Sequence, residues 1–183
     1  IYARQVLTID DGTAQQKEIK TARLRNLARW SQHKLHKLED ARGYWDQVAA
    51  RVGFDDEALA ALEQIFAAQE KPAELLSVYR KRLDAASESA GRVDVLFKMA
   101  SVEESKLGNR NAAAANYRRI LAEPATVSSM GTTMRALRSL EKIYAQSGDS
   151  ESLAEVLERQ LSQIEGTDGT TERSERDAET LMM

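Results

Sequence analysis

The stretch Leu59-Ala60-Ala61-Leu62-Glu63-Gln64-Ile65-Phe66 returns 78 positions later as Leu137-Arg138-Ser139-Leu140-Glu141-Lys142-Ile143-Tyr144. Leu59, Leu62 and Phe66 stand at i, i+3 and i+7, which is one apolar stripe on a helix and not the alternation of a strand. Nine residues after Phe66 and Tyr144, a second stripe opens in each copy. It reads Leu75-x-x-Val78-Tyr79-x-x-x-Leu83 in the first and Leu153-x-x-Val156-Leu157-x-x-x-Leu161 in the second. A further pair of segments matches at an offset of 72. Leu24-x-x-Leu27-Ala28 and Lys34-Leu35 correspond to Leu96-x-x-Met99-Ala100 and Lys106-Leu107, and Ala41-x-x-x-Trp45 corresponds to Ala113-x-x-x-Tyr117.

Aligned together, the large residue of the second stripe falls at Trp45, Tyr79, Tyr117 and Leu157, spaced 34, 38 and 40 residues. First and third units are alike, as are second and fourth. Each reads as helix, tight turn, helix. Gly108-Asn109 and Gly148-Asp149 place a glycine after one helix and a capping side chain before the next. Pro72 suits the first turn of a second helix, where its missing N–H costs no hydrogen bond. Asp55-Asp56, Ser87 to Ser89 and Ser128 to Thr133 supply caps or loops between units, and Pro124 closes the third. The pattern predicts helices over 17–33, 39–52, 56–69, 72–86, 90–107, 110–122, 132–146 and 150–164.

Composition agrees with this reading. Ala, Glu, Lys, Leu and Arg make up about half of the 183 residues, the usage of long-helix arrays, while aromatics are 5% and prolines only two. The absence of Cys removes disulfide frameworks and thiolate zinc sites. A net charge of -3 supplies no global attraction for nucleic acid, so a nucleic-acid partner is not expected. No run approaches the ~18 apolar residues of a membrane helix. The first residue is Ile1 and the last three are Leu181-Met182-Met183, so the expectation is a piece cut from a longer array. Localisation then stays open, with a lean to the cytoplasm and the periplasm still in play.

A helix pair of this length with these anchors resembles the tetratricopeptide repeat family. The residues that carry the resemblance are Leu59, Leu62, Phe66, Leu75, Tyr79 and Leu83 in unit two. In unit three they are Phe97, Ala100, Leu107-Gly108, Ala113, Tyr117 and Pro124, and in unit four Leu137, Leu140, Tyr144, Gly148 and Leu157. Units three and four are longer than the family pattern, and Glu63, Ser101 and Glu141 stand where it has small residues. Arg25 and Gln32 replace apolar anchors in unit one, which predicts an irregular first repeat.

The resemblance implies an all-α fold, a right-handed α-solenoid of stacked antiparallel helix pairs. About four full repeats are expected with a partial repeat at each end: 1–12 closing a preceding repeat, then 13–55, 56–88, 89–128 and 129–166, with 167–183 opening a fifth. In this scheme Gly166 to Thr171 is a loop. An isolated helix pair cannot bury its stripe, so neighbours stack and share it. The free stripes at the two ends, Val6-Leu7 and Leu181-Met182-Met183, predict end-to-end self-association.

The resemblance also implies a concave surface lined by the first helices. Its groove-facing positions fall at Arg23, Asn26, Trp30, His33 and Lys34 in unit one and at Glu57, Ala60, Gln64, Ala67 and Ala68 in unit two. They continue at Val95, Lys98, Val102, Ser105 and Lys106, then Arg135, Arg138, Lys142, Ala145 and Gln146. Seven of these are Lys or Arg and one is acidic, so a basic groove taking an acidic protein or peptide segment is expected. The partner-binding set is therefore Arg23, Asn26, Trp30, Lys34, Lys98, Lys106, Arg135, Arg138 and Lys142. The carboxylate clamp of some family members is not reproduced at Asn26, Trp30, Ala60 and Met99.

Trp30 suits a partner anchor, although packing against a preceding repeat is the favoured expectation; Trp45 and Tyr117 read as core. His33 and His36, three apart, are geometrically able to share a metal but lack further ligands at suitable spacing and read as surface residues. Ser31-x-x-Lys34 has none of the accompanying motifs of a Ser nucleophile. Glu103-Glu104 and Asp55-Asp56-Glu57 point in different directions on a helix. No phosphate-binding glycine loop is present. The expectation is thus a non-catalytic interaction scaffold with no cofactor and no metal. The alternatives are a recruiting array of a multidomain enzyme whose catalytic domain lies elsewhere, or an architectural spacer in an envelope assembly.

Overall fold

The computed structural model describes Val6, Thr8 and residues 12–124 and 129–180, with 166–180 described as backbone alone. Among these residues the regular structure is helical: α1 (Ala14–His33), α2 (Leu38–Val52), α3 (Asp56–Ala68), α4 (Pro72–Ala85), α5 (Ser89–Ser105), α6 (Arg110–Ala122), α7 (Met130–Ser147) and α8 (Ser150–Thr180). They form two units, residues 1–85 and 86–183. The fold class is the all-α helical-repeat solenoid, and each unit contains two consecutive helix pairs.

In the first unit α1 packs on α2 and α3 on α4, with α2 joining the pairs. The buried set is the predicted stripe: Leu24, Leu27 and Ala28 from α1, Ala41 and Trp45 from α2, then Leu59, Leu62, Ile65 and Phe66 from α3 against Leu75, Val78, Tyr79 and Leu83 from α4. Trp45 is 1% exposed and is the core of this unit. In the second unit α5 packs on α6 and α7 on α8, joined by α6. Leu96, Ala100, Ala113, Tyr117, Ile120, Leu137, Leu140 and Tyr144 fill it. The Phe97 and Tyr117 rings meet edge to face, centroids 6.1 Å apart.

Helix starts follow side-chain chemistry. Thr13 and Gln16 form a reciprocal capping box on α1. The Asp55 carboxylate accepts from the Ala58 amide at 2.9 Å, Asn109 from Ala112 at 3.2 Å, and Asp149 from Ser152 at 3.1 Å. Ser129 caps α7 through the Thr132 amide, so α7 begins inside the stretch expected to be a loop. The glycine after α7 ends it: Gly148 takes φ 73°, and its amide returns to the Tyr144 carbonyl.

Two expectations need correction. The predicted loop at Gly166 to Thr171 is helical, because α8 runs on to Thr180. Gly and Thr lower helix propensity but remove no donor, and α8 contains no proline to stop it. The first repeat, expected to be irregular, still forms a packed helix pair. Arg25, on α1, pairs with Asp55 and Glu57, and Gln32 is buried in a hydrogen-bonded position, so polar partners do the work of the missing apolar anchors. Leu157 and Leu161 match the alignment but are exposed, where their counterparts Tyr79 and Leu83 are buried. Leu7 and Leu181 to Met183, on which end-to-end association was to rest, lie outside the described residues, and Val6 is buried. No described helix is long and apolar enough to cross a membrane.

Candidate interaction surface

The nine residues predicted to bind a partner are all exposed, four in the first unit and five in the second. Arg23, Asn26 and Trp30 lie on α1, and Lys34 is the residue that caps its end. Trp30 is 65% exposed among the described residues. His33 is the last residue of α1, whereas His36 sits beyond it in the turn at φ 52°, so the two do not share a helix face. Among the described residues no cluster of three or more His, Asp or Glu is placed to hold a metal ion. Glu57, the one acid in the predicted stripe, is held by Arg25 and Arg29, 2.6 Å away in the second case.

Arg135, Arg138 and Lys142, from α7, come together in the second unit. They line an open cleft of about 590 Å³ with Met130, Met134, Ser139 and Glu104. The i, i+3, i+7 spacing of the three cations places them on one side of α7. The Arg135 guanidinium lies over the Phe97 ring, 4.2 Å from its centroid, a cation–π contact that holds the charged head at the cleft wall. Lys142 Nζ donates to Glu104 Oε1 at 2.8 Å, and this contact raises the Lys142 pKa above its ordinary value. Glu104 Oε2 accepts from the Tyr117 hydroxyl at 3.4 Å. Burial is the main cause that lifts the Tyr117 pKa.

Lys98 and Lys106, on α5 and at its cap, do not line this cleft. Val95, predicted to face the groove, is instead buried with Val93, Leu96 and Phe97. The apolar side of α5 is broader than the family spacing allows for. A larger opening of about 850 Å³ beside α1 and α2 is lined by Lys17, Glu18, Arg25 and Arg51 among others, and contains none of the predicted partner-binding residues.

Glu104, Met130, Met134 and Ser139 were not singled out as site residues from sequence. One signal was present for Glu104: at the offset of 72 it occupies the position of Gln32, as Tyr117 does that of Trp45, and at 78 Lys142 occupies that of Gln64. In the first unit Trp45 Nε1 donates to Gln32 Oε1 at 3.4 Å, and Gln32 Nε2 donates to Gln64 Oε1 at 2.9 Å. The same three positions therefore build an uncharged bridge in one unit and a charged one in the other.

The tetratricopeptide repeat model matches this chain at residues 58–93 and again at 136–172, two segments that start 78 residues apart, the offset of the internal repeat. No curated protein matches the sequence.

Proposed function

We propose that this chain, which carries tetratricopeptide repeats, is a non-catalytic scaffold that takes an acidic segment of a partner protein on the first-helix faces. Repeats of this kind generally serve protein–protein interaction. The observation that carries the acidic preference is the cleft on α7, where Arg135, Arg138 and Lys142 converge beside Met130 and Met134. Three cations against the single carboxylate of Glu104 leave the cleft positive on a chain whose net charge is -3. A local field of this kind steers an acidic segment and orders its docking. The two methionines add an apolar, adaptable floor for the partner's hydrophobic side chains. Arg23, Asn26, Trp30 and Lys34 extend the reading to the first unit, with Trp30 as its aromatic anchor.

The test is direct. Arg135→Glu combined with Arg138→Glu lowers the affinity for a Glu-rich peptide at least about tenfold, and the wild-type affinity falls as salt is raised. Equal binding by the double variant, with its helicity intact, defeats the proposal.

A further inference from the structure

We infer that Glu104 is a built-in competitor for the partner carboxylate, occupying Lys142 until an acidic segment displaces it. The inference rests on the acidic-partner reading above and names how the cleft is regulated and what it selects. Both Glu104 oxygens are engaged, Oε1 by Lys142 and Oε2 by Tyr117. The Lys142 side chain is 61% exposed and that of Glu104 23%, so the ammonium has solvent to swing into while the carboxylate is fixed against the protein. An exposed ammonium–carboxylate pair adds little to stability, and its rupture does not threaten the fold.

The first unit shows that this pair is not needed to join successive repeats. There Gln32 and Gln64, at the equivalent positions, make the bridge without charge, at 2.9 Å. Charge at 104 and 142 is thus a property of the α7 cleft and not of repeat stacking. Arg138 lines the same cleft and has no polar partner among the described residues. A carboxylate arriving beside Arg138 finds two guanidinium groups, those of Arg138 and Arg135, and one ammonium already taken. It gains Lys142 only by outbidding Glu104. A lone surface carboxylate gains too little. A segment that also places an apolar side chain on Met130 and Met134 gains enough to hold Lys142 open. The occupant is therefore an acidic amphipathic segment, selected over one that is merely acidic.

The experiment compares wild type, Glu104→Gln and Lys142→Met in binding a synthetic peptide rich in Glu with two leucines, and its Glu→Gln counterpart. Glu158→Gln, on the exposed face of α8 outside the cleft, controls for net charge. Glu104→Gln is expected to tighten the Glu-rich peptide about three- to tenfold and to steepen its salt dependence. Glu158→Gln leaves affinity unchanged. Lys142→Met weakens binding, and combined with Glu104→Gln it abolishes the gain that Glu104→Gln gives alone. Circular dichroism melts establish that each variant is folded. If wild type binds the Glu-rich peptide and Glu104→Gln gives no gain, the competitor role is overturned while the acidic-partner reading stands. If wild type binds neither peptide, or both alike, both readings fall together.

Discussion

Gln32 Nε2 donates to Gln64 Oε1 across 2.9 Å and ties the first helices of two successive repeats, α1 and α3, side by side. Gln32 is 7% exposed and is also the acceptor for the Trp45 indole N–H, so one side chain serves both neighbours. Replacing it with Leu keeps the volume but strands a buried N–H, at a cost of about 1–3 kcal/mol. Gln64→Ala removes an exposed acceptor whose place beside Gln32 Nε2 water can take, and costs less than about 1 kcal/mol. Urea denaturation of the two variants checks the order. Equal losses would mean that Trp45 finds another acceptor.

Four turns between paired helices place a left-handed residue at one repeat position: His36 at φ 52°, Glu70 at 52°, Gly108 at 64° and Gly148 at 73°. His36 and Gly108 are 72 apart, and Glu70 and Gly148 are 78 apart, the two offsets of the sequence repeat. An L-residue in this region carries about 1–2 kcal/mol of strain, against which glycine loses about 0.5–1 kcal/mol of chain entropy. His36→Gly and Glu70→Gly therefore stabilise the first unit by about 0.5–1 kcal/mol each, and Gly148→Ala destabilises the second by about 1 kcal/mol. Thermal melts of the single variants measure this. A lower Tm for both Gly variants would show that their side chains contribute more than the strain costs.

The two tryptophans separate packing from recognition. Trp45 is 1% exposed and Trp30 65%. Trp45→Ala opens a cavity in the first unit and costs about 3–5 kcal/mol, whereas Trp30→Ala changes stability by less than about 0.5 kcal/mol. The Trp30 substitution weakens the capture of a peptide that the first unit binds, since an exposed indole on the first-helix face is an anchor of the kind that dominates interfaces. Fluorescence of Trp45→Phe, in which Trp30 alone reports, is quenched freely by acrylamide in the unbound protein and is protected by bound peptide. Protection without peptide would show that Trp30 is already covered.

What could be read from the sequence divides along physical lines. Apolar stripes are dictated by helical geometry, so Leu59, Leu62, Phe66 and their partners declared the helix pairs and the repeat. Gly108 and Gly148 announced their turns by residue type. His36 and Glu70 hold the same conformation with no such sign, and only alignment to the glycines reveals them. The continuation of α8 through 166–171 was missed because Gly and Thr discourage a helix without breaking it. Leu157 satisfies the pattern but is exposed, because a periodic apolar residue is buried only where a neighbour covers it. For the candidate site, Arg135, Arg138 and Lys142 were legible as one helical stripe. The role of Glu104 was not, since a contact between residues 104 and 142 depends on how two helices lie side by side.

Alkaline stability tests the buried side of this packing. The Tyr79 hydroxyl donates to Glu63 at 3.2 Å, and burial, reinforced by the neighbouring carboxylate, pushes its pKa from 10.0 up to about 12. Burial likewise raises Tyr117 and Tyr144. Between about 10 and about 12 the folded chain keeps a proton on Tyr79 that the unfolded chain has lost. Stability therefore holds below pH 10 and declines as pH rises through this window. Tyr79→Phe lowers the starting stability, because a hydrogen bond is lost, but it makes the decline shallower. Urea midpoints of the two proteins from about pH 8 to pH 11 supply the comparison, and the difference in slope is the readout that separates Tyr79 from the lysines titrating nearby. Parallel slopes would show that the Tyr79 hydroxyl ionises as readily in the folded chain as in the unfolded one.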